Sequence, residues 1–236
     1  MKQTGKYIFI LVAIIALWDT LIIKPFKLFT VFLHELGHAA MAFIFGYGIK
    51  GIRIGFNEGG YALTYSKGKI ASFMIYNGGY LGSVLFSLLI LSLKKTPVKK
   101  YILGTVAIVF LGVSIRYAGF NFTLLYSIIF AVLAIIIYMI QNERVYDWTI
   151  DILGISGVAY AIYDTFVDTI LIKFRLPFSL WGRRAGGLSD ADQLAKLTHI
   201  PAIFWGLLWT ALSLFAVYMV LIRHGASGAK GSKSKK

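Results

Sequence analysis

Long apolar stretches separated by short charged ones constrain this 236-residue chain more than any other feature. A helix crosses hydrocarbon with about 20 consecutive, mostly apolar residues, because every backbone N–H and C=O must be paired within the segment. Seven stretches approach that length: Tyr7–Ile23, Leu28–Gly46, Ile70–Leu93, Tyr101–Ile115, Phe122–Ile140, Trp148–Ile172 and Ile200–Ile222. The fourth is short. The first contains Asp19 and runs into Lys24-Pro25, so six or seven crossings are expected. That first stretch lacks the small-x-small exit of a cleaved leader, and another apolar stretch follows at once, so it reads as a retained helix. The expected fold class is an all-α polytopic membrane protein: a bundle of six to seven transmembrane helices with a small β-hairpin after the second. One transmembrane domain is expected over 1–224, in a multi-pass protein whose surroundings are a lipid bilayer.

Composition excludes the other broad classes. Hydrophobic residues make up 58% and charged residues 14%, against roughly 45–50% and about 25% in soluble domains. Disorder is ruled out by the same apolar content, and a disulfide scaffold by the absence of cysteine. The net charge of +14 sits in loops and tails, where anionic lipid headgroups are the natural partner. No basic helix is interleaved with base-stacking aromatics, so no nucleic acid is expected. With seven spans, Lys and Arg divide evenly between the two sides, and the positive-inside rule assigns no orientation. The Gly/Ser/Lys-rich segment 225–236 reads as a disordered basic tail.

Two stretches are not membrane helix. Gly48–Lys69 alternates apolar and polar residues on both sides of Asn57-Glu58-Gly59-Gly60, which is a hairpin pattern. Lys173–His199 mixes charges with the run LSDADQLAKL, where Ser189 reads as the N-cap of a short amphipathic helix and Asp192 as its N3 partner.

The chemistry-bearing motif is His34-Glu35-Leu36-Gly37-His38, inside the second apolar stretch. Residues four apart share a helix face, so His34 and His38 can direct two imidazoles at one ion with Glu35 beside them. Such a motif arises by chance in this composition on the order of once in a thousand sequences. Three ionisable groups in one apolar helix are costly in hydrocarbon and mark function more often than packing. Zinc accepts imidazole nitrogen and lowers the pKa of a bound water, whose proton Glu35 can then take. A third ligand is required. The sixth stretch offers Asp164, with Asp168 one turn further as a reserve; Asp19 and Asp151 are weaker choices. His199 and His224 lie at the ends of apolar stretches and read as surface residues. Asn77-Gly78-Gly79 interrupts the third stretch. It either holds a substrate backbone or packs helices together, with Asn77 bonding across the bundle. The hairpin either adds a strand to a substrate or caps the site.

These blocks, FLHELGHAAMAF, GGYALTYS, NGGYLGS, AIYDTFVDTI and LSDADQLAKLTHIPAIFWGLLW, resemble the site-2 protease family of intramembrane zinc metallopeptidases, in its compact branch without a PDZ domain. The resemblance spans most of residues 30–210, and its specific part is HELGH. It implies zinc held by His34, His38 and a distant Asp, with Glu35 as general base. It further implies cleavage of a peptide bond in or near a substrate's transmembrane helix. Better-known members carry the distal Asp in an Asp-Gly pair, whereas Thr165 follows Asp164. A catalytically inactive pseudoprotease scaffold or chaperone that binds membrane helices is therefore the alternative. A transporter is disfavoured, since neither HELGH nor NGGYLG recurs.

Overall fold

The computed structural model describes residues 3–18, 20–166 and 188–219. Its helices are α1 (Gln3–Ala16), α2 (Lys24–Phe45), α3 (Lys69–Leu93), α4 (Ile102–Tyr117), α5 (Phe122–Met139), α6 (Glu143–Phe166), α7 (Asp190–Thr198) and α8 (Ala202–Val217). A hairpin of β1 (Ile49–Ile54) and β2 (Gly60–Thr64) lies between α2 and α3, and a 3₁₀ turn, Pro97–Tyr101, leads into α4. Among the described residues, four helical segments are long and apolar enough to cross a membrane: Lys24–Phe45, Lys69–Leu93, Pro97–Tyr117 and Phe122–Met139. Gly5–Ala16 and Ala202–Val217 are apolar but shorter. Asp19, Asp168, His224 and the tail 225–236 lie outside the described residues.

Where the boundaries differ from the sequence pattern, local chemistry decides. α1 stops at Ala16 instead of running to Ile23, and α2 starts at Lys24 with Pro25 in its first turn, where the missing N–H costs nothing. α6 begins at Glu143, ahead of the expected Trp148. The Asn142 side chain accepts from the Arg144 N–H at 2.9 Å and caps the helix start. The charged first turns of α6 are then neutralised in place. Fully buried Asp151 pairs with Lys6 at 2.6 Å and Lys94 at 2.7 Å, tying α6 to α1 and the end of α3. Asp151 is therefore an ion-pair anchor, with two ammonium groups compensating its burial.

α2 and α3 cross at glycines. A Cβ on Gly37 would stand 2.1 Å from the Gly78 carbonyl oxygen, and one on Gly78 would stand 2.7 Å from that of Gly37. Only hydrogen at these positions lets the two backbones touch. α6 packs against α1, α2, α3 and α8. The main core gathers Phe29, Phe32, Phe110 and Ile150 from α2, α4 and α6. A second, smaller core of Tyr80, Ala191, Leu194, Trp205 and Trp209 seats α7 against α3 and α8. In the hairpin, Ile49 pairs with Thr64 and Ile54 with Gly60 in antiparallel register. The apolar residues of β1 are buried, while β2 has only β1 as a strand neighbour among the described residues.

Candidate metal centre

Val31, His34, Glu35 and His38 line one cavity of about 900 Å³ together with Lys27, all from a single face of α2. The whole of β2 forms another wall, and Asp164, Leu188, Asp190 and Gln193 complete part of the rim.

The geometry of the two histidines is set from outside the pair. His38 Nδ1 lies 2.7 Å from the Ile75 carbonyl oxygen. A carbonyl can only accept, so Nδ1 carries the proton and Nε2 presents a lone pair to the cavity. His34 stands edge-on to Tyr80, with ring centroids 4.6 Å apart, and Tyr80 in turn stacks on Trp209 at 4.7 Å. Gly79 faces both rings from α3: a Cβ there would sit 2.5 Å from each Nε2. The bare backbone of Gly79 is what leaves room for the imidazoles.

The carboxylate that meets this pair is Asp190. Its Oδ2 is 3.1 Å from His34 Nε2 and 3.1 Å from His38 Nε2, and the two Nε2 atoms are 3.1 Å from each other. His34, His38 and Asp190 form the one group of His, Asp and Glu among the described residues whose ligand atoms converge closely enough to hold a metal ion. The sequence pattern pointed instead to Asp164. That residue lines the same cavity but is not in the converging group, and its reserve Asp168 lies outside the described residues. Helix α7 delivers Asp190 from its first turn. Ser189 Oγ accepts from the Asp192 N–H at 3.0 Å, and Asp192 returns its carboxylate to the Ser189 N–H at 3.1 Å. This capping box occupies Asp192 and leaves Asp190 to face the histidines.

The donor set fits a divalent cation. Three acceptor atoms at the corners of a triangle repel one another unless positive charge lies among them. Protons on the two Nε2 atoms would serve only their edges to Asp190, whereas a metal ion serves all three. Zinc at about 2.0–2.1 Å from each ligand sets tetrahedral ligand atoms roughly 3.3 Å apart, close to the observed spacing. Glu35 is buried on the same helix face. Gly60 of β2 presses so close that a Cβ there would meet Glu35 Oε1 at 2.6 Å.

Asn77, Gly78 and Gly79 take separate roles. Asn77 Nδ2 donates to the Phe73 carbonyl at 2.8 Å, and its Oδ1 accepts from Trp209 Nε1 at 2.8 Å, bonding α3 to α8. Gly78 is the contact with α2, and Gly79 is the floor under the histidines. His199 ends α7 in a left-handed conformation.

Against known protein families, residues 7–220 match the model described as Peptidase M50B-like. The chain belongs to that family. It is thus a member of the site-2 protease family, a group of membrane-embedded metallopeptidases, as HELGH and its companion blocks implied. No curated protein and no solved structure matches the chain.

Proposed function

We propose that this M50B-like protein is a multi-pass intramembrane zinc metalloprotease of six or seven spans, which hydrolyses a peptide bond in or near a substrate's transmembrane helix. One observation carries the reading: the 3.1 Å triangle of His34, His38 and Asp190, with Glu35 next to it in a cavity walled by a strand edge. His34 Nε2, His38 Nε2 and Asp190 Oδ2 would hold the ion. When bound, zinc supplies Lewis-acid polarisation of the scissile carbonyl and acidifies the attacking water.

The chain's own residues do the rest. Glu35 takes the proton from the attacking water at a carboxylate oxygen and gives it to the leaving amine nitrogen. The close approach of Gly60 in β2 confines that carboxylate. The Ile75 carbonyl keeps His38 in the tautomer that frees Nε2. The edge of β2 not paired with β1 supplies backbone groups to an extended substrate segment, which must leave its helix to be cut. Such a substrate would be a membrane helix entering from the bilayer. The inactive-scaffold alternative leaned on the missing Asp-Gly pair, and the presence of Asp190 beside the histidines weakens it.

The test is metal content and turnover together. Purified protein is expected to carry about one zinc per chain. Glu35→Gln should retain that metal and lose cleavage of a membrane-helix substrate. Undiminished turnover in the variant refutes the role given to Glu35.

A further inference from the structure

Lys27 is a cation that the hydrolytic machinery does not use. It is 6% exposed, yet it lines the cavity that holds His34, Glu35 and His38. Its ammonium lies 3.3 Å from Glu58 Oε2 and 4.5 Å from the centre of the Trp18 ring. Glu58 is its only anionic partner among the described residues. That pairing is of an exchangeable kind: a single oxygen, reached at the long end of the hydrogen-bond range, from a side chain 29% exposed. Glu58 also sits at the hairpin tip with φ +67°, a backbone region that non-glycine residues rarely adopt.

We infer that Lys27 forms a specificity subsite for an acidic side chain of the substrate, which replaces Glu58 on the Lys27 ammonium. The inference rests on the proteolytic reading for the identity of its ligand. Lys27 precedes Glu35 by eight residues on the same face of α2, a rise of about 12 Å. An extended segment covers that distance in roughly four residues. The hairpin gives the direction of travel: β2 begins at Gly60 beside Val31 and Glu35, and its tip reaches back to Lys27. A substrate strand lying along β2 therefore carries a side chain to Lys27 about three to five residues from the bond beside Glu35. A buried ammonium favours a carboxylate over a neutral isostere, since the neutral group leaves the cation short of a counter-charge. The Trp18 face fixes the ammonium in position.

The experiment uses full-length protein in detergent micelles and a set of fluorescent transmembrane peptides. In these, Asp, Asn or Lys is placed singly at positions two to six residues on either side of one candidate bond. Binding is read by anisotropy on the Glu35→Gln background, and cleavage is read on wild type. The expected result is about tenfold tighter binding of Asp over Asn, confined to one side of the bond and centred three to five residues from it. Lys27→Arg should keep that ratio, Lys27→Met should erase it, and Lys27→Glu should transfer the preference to Lys. Glu58→Gln separates a subsite from a plain latch. It removes the competitor and should tighten Asp peptides, whereas a latch would make Glu58→Gln and Lys27→Met behave alike. An unchanged Asp-to-Asn ratio in Lys27→Met, or no saturable binding by any peptide, overturns the inference. Discrimination without wild-type cleavage sustains the subsite and sinks the proteolytic reading. Cleavage without discrimination does the reverse.

Discussion

Two aspartates face one cavity, and the chemistry assigned to each is separable by substitution. Asp190 Oδ2 stands 3.1 Å from both imidazole Nε2 atoms, while Asp164 lines the wall outside that group. Asp190→Asn exchanges an anionic ligand for a neutral one and is expected to lower zinc affinity by more than about 100-fold in a chelator competition. Asp164→Asn should leave the affinity within a few-fold of wild type. The reverse ranking would return the third-ligand role to Asp164. Gly79 provides an independent check at the same scale. With a Cβ placed 2.5 Å from both Nε2 atoms, Gly79→Ala cannot keep the rings where they are. Elemental analysis of that variant should find zinc absent even though every ligand is intact. Full zinc content would mean the rings reach the ion from another position.

The short helix α7 explains both what could be read from the sequence and what could not. HELGH was legible because the helical period alone puts His34 and His38 on one face, whatever surrounds them. The hairpin and the start of α7 were legible for the same reason, since alternation around Asn57-Glu58-Gly59-Gly60 and the Ser189/Asp192 pair are local codes. The partner of the histidines was not, because it is joined to them across 156 residues by packing alone. A search confined to apolar stretches for a costly carboxylate finds Asp164 and passes over a charged connector. The missed signal was in the capping box itself: Asp192 is consumed by Ser189, so the neighbouring Asp190 is the acid left to face inward. α7 has nine residues, too few to be stable as an isolated helix, so its cap matters for the site. Ser189→Ala is expected to cost about 1 kcal/mol of helix stability. Because α7 must be formed to present Asp190, the same variant should bind zinc roughly fivefold more weakly, measured by competition, while Thr198→Ala at the other end should not.

For the whole molecule, the centre joins parts that the rest of the fold holds less firmly. α2 is built into the bundle through its glycine crossing with α3 and the aromatic core around Phe29, Phe32 and Phe110. Among the described residues, α7 rests mainly on the small core it shares with α3 and α8, plus the Asp190 contact with the two histidines. An ion bound at that contact therefore links a helix deep in the bundle to a short one at its side. Ligand binding to the native state stabilises it by RT ln(1 + [L]/Kd), about 4 kcal/mol when free zinc is a thousand times Kd. Adding zinc to chelated protein in micelles should raise Tm by several degrees. Glu35→Gln, which retains all three ligands, should show the same rise, and Asp190→Asn should show almost none. Amide exchange supplies the location: on metal removal, Asp190–Thr198 should lose protection well before α2 and α3 do. A zinc-dependent Tm shift of equal size in Asp190→Asn would place the stabilising ion elsewhere in the molecule. The seating of α7 would then owe its stability to the packing of Ala191 and Leu194 against α3 and α8.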